Sequence, residues 1–375
     1  MHFTLHVTAD CNMRCSYCYS PLKNRSEMSD ETLSNTLDFA STLSPENTGI
    51  IFFGGEPLLK RKLIEYAVDE CKKRKDKHGY NYHFKITTNG MLLDDCFLEF
   101  AEVNRVIVAL SFDGVKNAHD ACRSDLAGSG TFEKTKEAAI LLLKYQPFAS
   151  VLMTLNPETI EYYFESVEFL HKLGFRYIIA SMNYAGSWQD KHLKVLKREY
   201  KKLAAWYERS TIAEKKFYFS PFEMKIASHI KGEEYKCFRC ALGKKQVSIG
   251  PDGTIYPCVQ FVKDGISNKD YSIGHVKTGF DGNKRNKFYK LSQKTDDECE
   301  KCALKVRCNN SCSCLNWQTT GKFHKVSDFL CEHERILFPI VDKTAEKLYR
   351  LKTPMFIQKH YNPEYPLLSL IDESL

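Results

Sequence analysis

The chain has 375 residues, 43% apolar and 27% charged, proportions of a folded protein with room for two or three domains, which exclude a disordered, fibrous or small disulfide-stapled chain. Its formal net charge of +7 is spread without a basic block longer than Lys72, Lys73, Arg74 and Lys75, which argues against nucleic acid as a partner. No apolar stretch approaches the roughly 18 residues of a membrane span, and Met1 opens on a mixed segment without a signal-peptide core, so a cytoplasmic protein with no membrane partner is expected.

In chain order, short runs rich in β-branched and aromatic residues lie at His2 to Val7, Gly49 to Phe53, His83 to Thr87, Arg105 to Phe112, Ala149 to Thr154 and Tyr177 to Met182. Helical patterns fall between them. One starts at Ser29 with Asp30 and Glu31 in its first turn; another takes Asn156 as cap and Pro157 as first helical residue, carries Ile160, Tyr163, Phe164, Val167 and Leu170 on one stripe, and stops at Gly174. Strand and helix alternating at this spacing predict parallel right-handed crossovers, and six such units predict an α/β fold, an open, partial (β/α)6 barrel of the TIM kind, over residues 1–185. A charged, cysteine-free helical bridge is expected over 186–236. A loop-rich, cysteine-dense domain follows over 237–334, then a C-terminal helix (Arg335 to Leu351) and an irregular tail over 335–375. The third segment shows little periodic apolar sequence, so bound metal is expected to supply stability that burial does not.

Fifteen cysteines are an odd count for a reducing compartment, where disulfides do not persist, and soft metal is the better use for them. Cys11, Cys15 and Cys18 stand at C-x3-C-x2-C directly after the first strand. Three thiolates on one loop leave one metal position free, unlike a closed four-ligand zinc site. Gly54, Gly55, Glu56 and Pro57 follow the second strand, where two glycines expose backbone carbonyls suited to an ammonium group and Glu56 can anchor the loop. Thr87, Thr88, Asn89 and Gly90 end the third strand. Ser111, Phe112, Asp113 and Gly114 end the fourth, followed by His119, Asp120 and Arg123. In parallel α/β folds chemistry gathers at these strand ends. Cys71, Cys96 and Cys122 read as small apolar residues of the interior.

Jointly these motifs resemble the radical S-adenosylmethionine superfamily. The resemblance implies a four-iron four-sulfur cluster on Cys11, Cys15 and Cys18 whose open iron chelates S-adenosylmethionine, reductive cleavage to a 5′-deoxyadenosyl radical, Tyr17 stacked on adenine, Gly54, Gly55 and Glu56 as the GGE motif, and Ser111 and Arg123 at the ribose or carboxylate. The C-terminal run of Cys240, Gly253, Cys258, Cys299, Cys302, Cys308, Cys312 and Cys331 resembles the SPASM extension of peptide-modifying members at every interval. That likeness implies two auxiliary four-iron four-sulfur clusters, for three in all: one on Cys240, Cys258 and Cys312, and one closed by Cys299, Cys302, Cys308 and Cys331. Cys237, at C-x2-C spacing before Cys240, is the expected fourth ligand of the first, with Cys314 the alternative.

Sulfatase-maturing relatives carry an aspartate base after the Tyr-Pro-Cys stretch, where this chain has Val259 after Cys258. The segment Val259, Gln260, Phe261, Val262 instead resembles maturases of the sactipeptide and ranthipeptide kind. The expected reaction is therefore thioether formation in a ribosomally made precursor peptide: the radical takes a hydrogen, the carbon radical meets a cysteine sulfur, and an auxiliary cluster takes the surplus electron. Radical epimerisation, carbon–carbon crosslinking and dehydrogenation are the neighbouring outcomes; a non-enzymatic zinc-binding module is the alternative from another class. An external electron donor such as flavodoxin or ferredoxin is implied. With ten residues ahead of Cys11, any leader recognition is expected to use either a separate leader-binding protein or a surface of this chain.

Overall fold

The computed structural model describes residues 1–19, 26–232, 240–262, 270–308 and 312–362. Strands β1 (His2–Thr8), β2 (Thr48–Gly54), β3 (Tyr82–Thr88), β4 (Val106–Ser111), β5 (Ser150–Leu155), β6 (Tyr177–Met182) and β7 (Tyr218–Phe219) lie in that order, every neighbouring pair parallel. The crossovers are α1 (Asp30–Leu43), α2 (Arg61–His78), α3 (Asp95–Val103), the pair α4 (Lys116–Cys122) and α5 (Phe132–Tyr145), α6 (Tyr163–Leu173) and α7 (Asp190–Ile212). Alternation sets the strands' inner faces: Phe3, Leu5 and Val7 of β1 are fully buried. Local chemistry sets the ends, as where Ser29 accepts the Thr32 N–H at the start of α1 and Gly79, at φ 73°, closes α2.

The sheet stays open and continues on the other side of β1. There β8 (Gln246–Ile249) pairs parallel with β1, and β9 (Thr254–Tyr256), β10 (Gly274–His275) and β11 (Gly279–Phe280) add antiparallel, giving eleven strands in one sheet among the described residues. After α8 (Ser220–Lys231), the remaining helices are α9 (Gly282–Gln293), α10 (Asp297–Glu300), α11 (Ser313–Thr320), α12 (Asp328–Arg350) and α13 (Pro354–Tyr361). Six of the strands stand where the sequence places them; β7 adds a seventh at the edge.

The cysteine-dense segment buries more than its sequence promises. Val247, Ile249, Ile255, Tyr256 and Phe261 belong to the same core as the barrel strands. Phe261 stacks on Tyr271 with centroids 4.9 Å apart and meets Trp317 at 5.4 Å and Phe323 at 6.1 Å. These rings are scattered along the chain without a period, so the cluster they form is invisible to a periodicity search. Two buried ion pairs clamp the C-terminal helices: Lys225 of α8 to Glu334 of α12, and Lys359 of α13 to Glu223 of α8. Among the described residues, no helix is long and apolar enough to cross a membrane.

Candidate functional site

Cys11, Cys15 and Cys18 lie on the loop leaving β1, and two carboxylates from other strands fix that loop. Glu56, at the start of the turn after β2, is 1% exposed and accepts from the Leu58 N–H (3.0 Å), the Thr88 hydroxyl (2.7 Å) and the Asn89 N–H (2.8 Å). It thereby ties the end of β2 to that of β3. Burial pushes its pKa up to about 7 against those three donors. Asn89 passes the link on, donating to the Asn12 side chain (2.8 Å) and the Cys11 sulfur (3.9 Å), while the Met13 N–H also points at Cys11 Sγ (3.4 Å). Gly54 and Gly55 are required by close approach: a Cβ at Gly54 would lie 2.2 Å from the Thr8 carbonyl, and one at Gly55 2.0 Å from that of Asp10. The Gly55 N–H donates to Thr8 (2.9 Å) and the Glu56 N–H to Asp10 (2.8 Å), so the two motifs are one interlocked surface.

The second carboxylate is Asp113, 3% exposed, just past β4. It accepts from the Tyr17 hydroxyl (2.7 Å), from Arg123 Nε (2.9 Å) and from the Thr154 N–H of β5 (2.8 Å). The Arg123 guanidinium also lies over the Tyr17 ring, 5.3 Å from its centroid. Sequence reasoning assigned Arg123 to the cofactor and gave Asp113 no role. The structure gives Arg123 a buried partner of its own and makes Asp113 the hub that holds the cysteine loop. The loop also docks on 122–125, with the Arg14 N–H on the Ser124 carbonyl (2.8 Å) and the Ser16 N–H on that of Cys122 (2.9 Å). Ser111 ends β4, half-buried, in register with Leu152.

Two thiol groups gather in the C-terminal segment. Cys299, Cys302, Cys308 and Cys331 line one cavity of about 50 Å³ with Glu334 and Arg335 at its wall. Burial pushes the Cys331 thiol up to about 11, a preference that metal reverses by binding thiolate. Cys240, Cys258 and Cys312 form the other group, joined by Cys314. Cys237 lies outside the described residues. Tyr19, beside the first cysteine loop, is within electrostatic reach of both Cys18 and Cys258. Tyr184, just past β6, is within reach of Cys308 and Cys312, and its hydroxyl meets His333 at 3.1 Å. The two tyrosines thus mark where the C-terminal thiols approach the strand ends. The hollow of about 390 Å³ between α1 and α2 is unrelated: its Arg74, Asp38, Glu70 and Lys73 are already paired with one another.

Residues 5–170 match the family model of the Radical SAM superfamily, and residues 240–309 that of SPASM, an iron-sulfur cluster-binding domain. The chain is similar to the cysteine-type anaerobic sulfatase-maturating enzyme of Clostridium perfringens (strain 13 / Type A), at 25% identity over 325 residues covering 82% of this chain and 86% of the relative. It is also similar to the antilisterial bacteriocin subtilosin biosynthesis protein AlbA of Bacillus subtilis (strain 168), at 26% identity over 289 residues, 74% of this chain and 57% of AlbA. The solved structure of native anSMEcpe with bound AdoMet and Cp18Cys peptide superposes with a TM-score of 0.79 at 22% identity, covering 93% of this chain and 100% of that one, which shows a shared fold.

Proposed function

From the premise that this chain is a radical SAM enzyme carrying a SPASM domain and acting on a protein or peptide, we propose that its substrate is a cysteine-containing, ribosomally made peptide and its product a thioether between a cysteine sulfur and a carbon. When bound, S-adenosylmethionine and the cluster on Cys11, Cys15 and Cys18 would supply a hydrogen-atom acceptor, and the C-terminal clusters an acceptor for the electron left over when substrate C–H and S–H bonds give way to C–S and a proton. The protein's own part is placement. Glu56 and Asp113 hold the cysteine loop from both sides, Gly54 and Gly55 let the turn after β2 close on that loop with backbone carbonyls suited to the cofactor's amino group, and Ser111 lies at the strand end expected to face its ribose. Arg123 acts on the cofactor through Tyr17, whose ring it covers.

One observation carries the choice of reaction: Val259 follows Cys258 and begins a short turn (Val259–Phe261) at the place where the sulfatase-maturing resemblance puts a carboxylate base. A hydrocarbon cannot take a proton there. The similarity to sulfatase-maturating enzymes over most of the chain keeps cysteine oxidation to formylglycine as the second reading. The precursor peptide and an external donor such as flavodoxin or ferredoxin are the partners this reading needs.

The test incubates the anaerobically reconstituted enzyme with cysteine-containing peptides encoded beside it, a reductant and S-adenosylmethionine. Loss of two hydrogens together with loss of an alkylatable thiol is the expected product. Exchange of sulfur for oxygen together with loss of two hydrogens at one cysteine, giving an aldehyde, would establish the second reading instead. Uptake of solvent deuterium without mass loss would mean epimerisation.

A further inference from the structure

We propose that Cys314 is the fourth thiolate of the first auxiliary site, completing a four-sulfur set with Cys240, Cys258 and Cys312 and closing that site to outside ligands. The proposal rests on the reading that the C-terminal segment binds iron–sulfur clusters. Its basis is proximity: the Cys314 side chain lies within hydrogen-bonding reach of the side chains of Cys240, Cys258 and Cys312, so one sulfur sits among the three that the SPASM resemblance groups together. Cys314 is 1% exposed within the main core, with Cys240 and Cys258 packed against that core.

The local backbone explains how two cysteines only two residues apart reach one point. Inside a helix, residues i and i+2 face nearly opposite directions. Cys312, however, is the cap of α11, at φ −75° and ψ 95°, and Cys314 stands in the first turn. The extended cap turns the Cys312 side chain back over the helix end, where Cys314 also projects. The same helix end carries donors for anionic sulfur: the Ser313 N–H points at the Cys240 sulfur, and the Cys314 and Leu315 N–H groups at that of Cys312. Backbone N–H groups at a helix N-terminus favour thiolate over thiol through hydrogen bonds and the helix dipole together. An all-sulfur set of four is a soft site that suits iron–sulfur or zinc and excludes hard cations.

The experiment uses the full chain with Cys11, Cys15 and Cys18 replaced by Ala, leaving the two auxiliary sites as the source of signal. Iron and sulfide content and the paramagnetic resonance spectrum of the reduced protein are measured with and without added free cysteine, in this parent and with Cys314→Ala or Cys237→Ala added. The expected result is a parent spectrum indifferent to cysteine, an unchanged Cys237→Ala variant, and a Cys314→Ala variant in which one of the two signals either shifts on adding cysteine or disappears with half the iron. Cys314→Ser, close in size, guards against simple misfolding: oxygen in place of sulfur should lower the reduction potential of one cluster and leave the other unchanged. The proposal is overturned if the parent already responds to cysteine, if Cys237→Ala gives the response, or if Cys314→Ala and Cys314→Ser keep the parent's iron, spectrum and potentials. A parent that binds zinc without iron would instead overturn the iron–sulfur reading itself, a separate failure recognisable from the metal content alone.

Discussion

The loop at the end of β1 and the thiol groups beyond β8 handle the same side chain in opposite ways. At the first site three cysteines sit in eight residues of sequence, and two carboxylates hold their loop: Glu56 and Asp113, nearly excluded from water, collect donors from the ends of β3 and β5, from the turn after β2 and from Tyr17 and Arg123. In the C-terminal segment the cysteines come from distant parts of the chain. Cys314, with Cys240 and Cys258 against it, packs in the core that contains Phe261, while Cys299 and Cys331 pack with Val326 and Leu330. A polar frame suits a site that must admit a charged cofactor, since Glu56 and Asp113 already have their partners before the ligand arrives. An apolar frame suits clusters that only exchange electrons, because low polarity and controlled hydrogen bonding tune their potentials.

The sharpest way to break this comparison is at the first loop. Cys15→Ala removes one of three expected ligands, and production of 5′-deoxyadenosine should be abolished. Iron should fall by about one cluster and stop there, because the C-terminal thiols share no ligand with the loop. Iron content falling to zero would show that the two regions assemble together, and cleavage at the parent rate would remove the triplet from the site.

A smaller effect separates the frames. Phe261→Ala deletes the ring on which Tyr271, Trp317 and Phe323 converge, and large-to-small changes of a buried Phe cost roughly 3 to 5 kcal/mol. We expect a lowered unfolding midpoint and weaker iron retention at the auxiliary sites, with cofactor binding at the barrel kept. If the midpoint of the cluster-free protein is unchanged, metal rather than burial organises the segment, as its sequence alone suggests.

What could be read in advance follows the range of the interactions. Strands β1 to β6 announce themselves because each is a short apolar or alternating run, rich in β-branched and aromatic residues, soon followed by Gly, Asn or Asp. The role of Glu56 as an anchor is legible because its donors adjoin a motif. Asp113 is not, for its partners Tyr17, Arg123 and Thr154 lie up to 96 residues away and no spacing links them. The helix read from Asn156 begins in earnest only at Tyr163, after a tighter turn over Ile160–Tyr162, because the Asn156 side chain is spent on Thr154 and Asn183 instead of capping. At the other end α12 starts at Asp328, with Ser327 accepting the Leu330 N–H, and runs through Pro339. The tail read as irregular holds α13, whose Lys359 is drawn into the core by Glu223 and the Phe217 carbonyl, a tertiary contact no local pattern shows.

The finest test concerns the polar frame itself and uses pH. His119 is fully buried between Phe112 and Phe132; its Nδ1 accepts the Asp113 N–H (3.3 Å) and its Nε2 faces the Thr131 hydroxyl (3.0 Å). With Nδ1 accepting, Nε2 carries the proton and the ring is neutral; a second proton would set two N–H groups against each other. Burial, with the Arg123 charge adding to it, lowers the pKa from 6.5 to about 4. Between those two values the unfolded chain binds the proton and the folded one does not, so this contribution is complete above pH 6.5 and is lost as pH falls towards 4. From pH 7 to pH 5 the loss from this residue is about 2 kcal/mol. His119→Gln keeps a hydrogen-bonding side chain without the titration. Urea midpoints at the two pH values should therefore move less in the variant than in the parent by that amount, the carboxylates contributing alike to both. Parallel slopes would show that His119 accepts its proton in place, and that the backbone of Asp113, and with it the hold on Tyr17, does not depend on a neutral ring.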